Sequence, residues 1–110
     1  MGTDFGAREG AAMSKPFEFE EEVAEDVQNA VNFYTGRAEG IAAKFLLALR
    51  KTYERIQFQP HASGRIYKSY RAARVPRYPY LVIYRVRRTV LQVVAIHHVK
   101  KGSFDWKKRG

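Results

Sequence analysis

The chain contains no cysteine, and that absence removes disulfides, thiolate metal sites and thiol nucleophiles together. It also suits a reducing compartment. No apolar run approaches the ~20 residues that a membrane span needs. No basic stretch followed by an apolar run opens the chain as a secretory signal would, so the expectation is a soluble cytoplasmic protein. No glycine-rich phosphate loop, nucleotide fingerprint or metal-ligand spacing is present, so no cofactor and no metal are expected. Acid is scarce in one half only: from residue 60 to 110 there is a single acid, Asp105, against thirteen Lys and Arg. From 1 to 59 the balance reverses, with ten acids against seven bases, so the formal charge of +9 arises entirely in the second half.

With 110 residues, 45% of them hydrophobic and 28% charged, the chain suits one globular domain with one modest core. Residues 1–14 hold Gly2, Gly6 and Gly10 without periodicity. They read as a flexible lead or tag, with Met13 as an alternative start, and residues 15–110 as the single domain.

Phe17 and Phe19 alternate with Glu18 and Glu20, the pattern of a short strand. The acids Glu20, Glu21, Glu22, Glu25 and Asp26 suit the positive end of a helix. Val23, Val27, Ala30, Val31 and Tyr34 then mark one apolar face, ended at Thr35-Gly36. A second helix is expected from Ala38 to Phe58, with Ile41, Phe45, Leu49, Tyr53 and Ile56 on its apolar face and Pro60 and Gly64 beyond its end. From Arg65 the period becomes two. Strands are expected over Arg65–Val75, Tyr80–Arg87 and Val90–Val99, the last central because it is the most hydrophobic. Pro76 and Pro79 bracket the first turn, and Arg88-Thr89 makes the second. Phe104 and Trp106 anchor a basic tail.

The expected fold class is therefore α+β in the order β-α-α-β-β-β, a helical hairpin packed on one face of a small, mainly antiparallel sheet. The other face is then free to be basic. Such a surface suits phosphate or an acidic protein segment; the alternative is a soluble domain with an undirected cationic surface. His97 and His98 are neighbours on a strand and must point to opposite faces. Arg109 is expected to pair with a helix acid, Glu54 being the candidate.

The run Arg74, Pro76, Tyr78-Pro79-Tyr80, Leu81 to Ile83 and Tyr84-Arg85-Val86 resembles the ParE/RelE superfamily of bacterial toxins from type II toxin–antitoxin and plasmid stabilisation systems. Val93 to Ile96 with His97-His98 and Lys100-Lys101, and Trp106 to Arg109, resemble that family's last strand and its terminal motif. Ala24 to Val27 with Phe33-Tyr34 is a weaker match. The resemblance spans Pro16 to Arg109 and implies a RelE/ParE-like fold and a toxin neutralised by a cognate acidic antitoxin. It implies no small-molecule substrate and no membrane partner.

Two branches share that fold. ParE-like members poison DNA gyrase and are not enzymes. RelE-like members are metal-independent endoribonucleases that cut mRNA on the ribosome, using cationic groups with a general acid and base. Lys68 matches the first lysine of the nuclease branch. Tyr70, Leu81 and Lys101 replace its second Lys and two Arg, and Trp106 lies beside its tail Tyr without a phenol. These departures favour the ParE-like reading. His98 with Arg71 is the alternative catalytic constellation if the chain is an RNase. A decayed non-toxic member, or a basic nucleic-acid-binding module, is the further alternative. The residues expected to bind target or antitoxin are Lys68, Arg71, Arg74, Arg85, Lys100, Lys101, Trp106 and Arg109.

Overall fold

Acids crowd the first turn of helix α1 (Glu22–Thr35), where the charges of Glu22 and Glu25 complement the positive end of the helix. Helix α2 (Ile41–Phe58) begins at Gly40, whose φ of 81° lies in the left-handed region that favours glycine. Strand β1 (Phe17–Phe19) precedes the helices, and β2 (Arg65–Tyr67), β3 (Tyr70–Arg74), β4 (Tyr80–Val86) and β5 (Leu91–His98) come after them. A 3-10 turn spans Asp105–Lys108. This computed structural model describes residues 14–100 and 105–109, so the expected lead before Ser14, together with Lys101 and Phe104, lies outside the described residues. Among the described residues no helix is long and apolar enough to cross a membrane.

The five strands form one sheet in the order β1-β5-β4-β3-β2. β1 runs parallel to β5, and every other neighbour is antiparallel. The α+β class and the helical hairpin on one face stand as expected. β5 is interior but β4 holds the central place, because β1 adds only one short strand beyond β5. The expected strand Arg65–Val75 is a hairpin instead. Lys68-Ser69 reverse the chain between the paired Tyr67 and Tyr70, and Lys68 adopts φ 51°. Alternation of side chains continues through such a two-residue reversal, so the sequence pattern does not register it.

The helices bury Val23, Ala30, Phe45, Leu49 and Ile56 against Val82, Tyr84, Leu91 and Val93 of the sheet. Tyr34 meets Phe45, Tyr78 and Tyr80 at ring-centroid distances of 5.3, 5.4 and 6.4 Å, joining both helices to the proline turn. That turn closes through the Tyr78 N–H donating to the Val75 carbonyl at 3.1 Å, with Pro76 and Arg77 between. Arg77 has φ 74°, the type II turn position where glycine is usual. The connection from α2 to β2 is pinned from the sheet. The Tyr84 hydroxyl donates to the Pro60 carbonyl at 2.6 Å, and the Arg71 guanidinium donates to the carbonyls of Ser63 at 2.6 Å and His61 at 3.2 Å.

A bulge in β5 shapes the face of the sheet away from the helices. Ile83 pairs with Ala95 but Tyr84 pairs with Val93, so Val94 is an extra residue in β5. Such a bulge lets two successive residues point to the same side. Val94 and Ala95 accordingly both join Tyr70, Ile83 and Trp106 in a second buried cluster on that face.

Tyr53 packs against Phe17 and Phe19 at 5.5 and 5.4 Å. Burial, helped by the charge of Asp26, pushes its phenol up to about 12. The folded state therefore holds this proton more tightly than the unfolded chain. The associated stability is complete below about pH 10 and disappears as pH rises towards 12. Urea denaturation should lose about 2–3 kcal/mol over that interval from this group. Tyr53→Phe should flatten the decline, although the raised phenols of Tyr34 and Tyr80 contribute in the same direction.

Candidate functional site

The face of the sheet away from the helices is aromatic at its centre and cationic around it. Tyr67 and Tyr70 stack across the β2–β3 hairpin, 6.3 Å apart and 11° from parallel. Trp106 stands edge-on to both, at 6.0 Å from Tyr67 and 5.4 Å from Tyr70. Lys107 Nζ lies 4.3 Å and Lys68 Nζ 5.3 Å from the Tyr67 ring centre, and Arg85 Cζ lies 4.9 Å from that of Tyr70. Each such contact contributes about 0.5–1 kcal/mol at an exposed site. Their joint effect is to hold cationic groups over π faces in defined positions. Arg74 pairs with Leu81 and shares this face, at its far end.

Next to the aromatic centre lies a polar set. Arg85 Nε donates to Gln92 Oε1 at 2.8 Å, Arg87 donates to the same oxygen at 3.2 Å, and the Gln92 amide donates to Glu20. Gln92 is buried, so these bonds satisfy a group that would otherwise be costly. The face is thus not the bare cationic surface expected from the charge pattern. Trp106, only 2% exposed, covers its centre and leaves the cations as a rim.

Trp106 is held by the tail beyond it. The Arg109 guanidinium contacts the Asp26 carboxylate at 2.7 and 3.2 Å and also donates to the Val94 carbonyl at 2.9 Å. Asp26 Oδ2 further accepts the Ile96 N–H at 3.0 Å. β1 reaches only as far as Val93, so this ion pair serves β5 where a strand would otherwise continue. The expected partner Glu54 is instead 3.6 Å from Arg50 on an exposed face of α2. Helix α1, not α2, faces this part of β5.

Between α1 and the end of β5 a cleft of about 340 Å³ is lined by Asn29, Phe33, Tyr80, His98, Asp26 and Arg109 among others. His97 pairs with Leu81 on the Trp106 side, and His98 pairs with Tyr80 on the helix side, so the two histidines diverge as expected. His98 stands edge-on to Tyr80 at 5.0 Å, and its Nδ1 accepts the Lys100 N–H at 3.1 Å, which leaves Nε2 to carry the ring proton. Burial pushes the Tyr80 phenol up, and burial with the neighbouring Tyr80 and Tyr78 does the same to Tyr34. Neither tyrosine is a ready proton acceptor near neutral pH.

Of the residues singled out from the sequence, Lys68, Arg85 and Trp106 come together on the open face, and Arg74 shares that face at its far end. Lys100 is exposed just past β5, and Arg109 lies at the β5 edge. Arg71 and His98 do not meet. Arg71 pairs with Tyr84 and His98 with Tyr80, which puts them about 13 Å apart along the strand direction, and the Arg71 guanidinium is engaged by loop carbonyls. Sequence reasoning missed Tyr67, Lys107, Gln92, Glu20 and Asp26. Gln92 carried a signal, as the polar residue that interrupts the apolar run from Val90 to Ile96. Asp26 carried none, being one of five clustered acids.

The profile of the ParE toxin of type II toxin–antitoxin systems (parDE) matches residues 17–102, and the chain belongs to that family. Among solved structures it is similar to a chain from the chromosomal ParDE toxin–antitoxin system of P. aeruginosa, with a TM-score of 0.70 and 18% identity. The alignment covers 79% of this chain and 98% of that one, and at such identity it establishes the shared fold. No curated protein sequence matches the chain.

Asp26→Ala should strand both the Ile96 N–H and the Arg109 guanidinium and cost on the order of 2–4 kcal/mol in urea denaturation. Asp26→Asn keeps an acceptor for Ile96 and should cost less. Arg109→Ala should release the tail, seen as a red shift of Trp106 emission at urea concentrations that leave the helical circular dichroism intact.

Proposed function

We propose that this chain is a ParE-like toxin that acts on DNA gyrase and is neutralised by a cognate acidic antitoxin. The observation that carries the reading is the cationic rim of Lys68, Arg85 and Lys107 around the Tyr67, Tyr70 and Trp106 centre, on a chain of the ParE toxin family. A rigid aromatic centre ringed by cations suits a large, partly acidic protein surface. The rim steers encounter and the aromatic groups supply contact area. An antitoxin segment rich in acids would be drawn to the same field and would order as it binds. The placement of His98 and Arg71 at different ends of the sheet supports a non-enzymatic mode over an mRNA endonuclease, which would need a base and cations converging on one phosphate. Lys100, exposed just past β5, adds to the same positive field.

Expression of the chain alone should arrest bacterial growth with an induced DNA-damage response and intact mRNA, and purified chain should inhibit supercoiling by gyrase. Co-expression of an acidic protein encoded beside it should restore growth. Arg85→Glu combined with Lys107→Glu should reduce growth arrest at least tenfold in the inducer needed, with the fold retained. In-frame mRNA cuts that disappear in His98→Ala would assign the nuclease mode instead. Normal growth at confirmed soluble expression would mark a non-toxic member.

A further inference from the structure

A second surface lies across the sheet from the aromatic face. On α2, Lys44, Leu47, Ala48 and Lys51 have the spacing that sets side chains along one stripe. With Pro76, Arg77 and Tyr78 of the β3–β4 turn they line a groove of about 380 Å³. Its floor is apolar, and Leu47 leaves 48% of its surface exposed there. Its charged lining consists of Lys44, Lys51 and Arg77, with no acid. Among the described residues none of these three forms an ion pair.

Arg77 adds an independent observation. It occupies a left-handed turn position, φ 74°, where glycine would be easier. Strained backbone of this kind persists where the surroundings enforce it, and it marks candidate functional positions. Here it places a guanidinium at the groove rim, opposite the two lysines.

We propose that this groove docks an acidic peptide segment of a partner protein through one apolar side chain, with flanking carboxylates meeting Lys44, Lys51 and Arg77. The charge complement selects the acids, and the Leu47, Ala48 and Pro76 floor selects the anchor. A single-stranded nucleic acid would need an exposed ring to stack on. The groove's only ring, Tyr78, is half-buried and packed edge-on against Phe45 and Tyr34. The groove lies on the helix side of the sheet, so a partner there leaves the Tyr67–Trp106 face accessible, and the two surfaces can be occupied at once.

The test is fluorescence anisotropy of a labelled Asp-Glu-Leu-Glu-Asp peptide titrated with the full chain at about 50 mM salt, where surface charges are weakly screened. Saturable binding is expected. It should weaken about tenfold or more in Lys44→Glu with Lys51→Glu and in Leu47→Gln, and also when the peptide's Leu is replaced by Ser. Arg77→Gly removes the rim cation while suiting the turn, so its weaker binding cannot be ascribed to misfolding; Trp106 emission and circular dichroism verify the fold of every variant. Arg88→Glu, in the exposed β4–β5 turn away from both the groove and the aromatic face, should leave binding unchanged. Absent binding, equal binding by the groove variants, or loss of binding in Arg88→Glu would overturn the proposal. So would a thymidine oligonucleotide that binds in a Lys51-dependent manner where the peptide does not. The readout is binding and holds whether or not the chain arrests growth.

Discussion

Strand β1 ends alongside Val93, and the backbone of β5 beyond it has to find other partners. Asp26 and Arg109 supply them: a carboxylate takes the Ile96 N–H, a guanidinium takes the Val94 carbonyl, and the two charges hold each other. The ion pair thereby does at one point what another strand would do along its length. It also joins three parts remote in sequence, the first helix, the last strand and the tail. Its side chains are about 16–21% exposed, enough shielding for the charges to interact strongly and enough water to limit their desolvation.

The bulge at Val94 and the tail depend on one another. The extra residue turns both Val94 and Ala95 towards Trp106, and Arg109 bonds the Val94 carbonyl at that same irregularity. The indole then closes over Tyr67 and Tyr70, which the Lys68-Ser69 reversal has brought side by side. A face that would have been an open cationic sheet becomes a buried aromatic centre with cations seated on its rim. For a member of the ParE toxin family this matters, because fixed cations on rigid rings lose less freedom on meeting a partner than free side chains do.

Much of the fold was legible because its signals are local. Acids at the start of α1, the apolar stripes of both helices and the prolines around Arg77 and Tyr78 each act within a few residues. The hairpin at Lys68 was not legible, since neither glycine nor asparagine marks it and alternation runs through it. The partner of Arg109 was not legible either. Glu54 and Asp26 are equally acidic, and only the packing of α1 against β5 brings one of them within reach. Lys68, Arg74 and Arg85 lie on one face of the sheet, and Lys107 and Tyr67 join Lys68 and Arg85 there through contacts that the strand pattern does not carry.

By itself the amino-acid order determined the helical hairpin, the last two strands of the meander, the concentration of positive charge in the second half and the divergence of His97 from His98. Periodicity and charge are additive along a chain and survive without coordinates. The tertiary structure alone decided which face Trp106 covers, where the bulge falls, that Arg71 serves a loop while Arg85 serves a surface, and that Asp26 holds the tail. Those outcomes turn on a few ångströms between residues as many as 83 positions apart, and nothing in local composition specifies such distances.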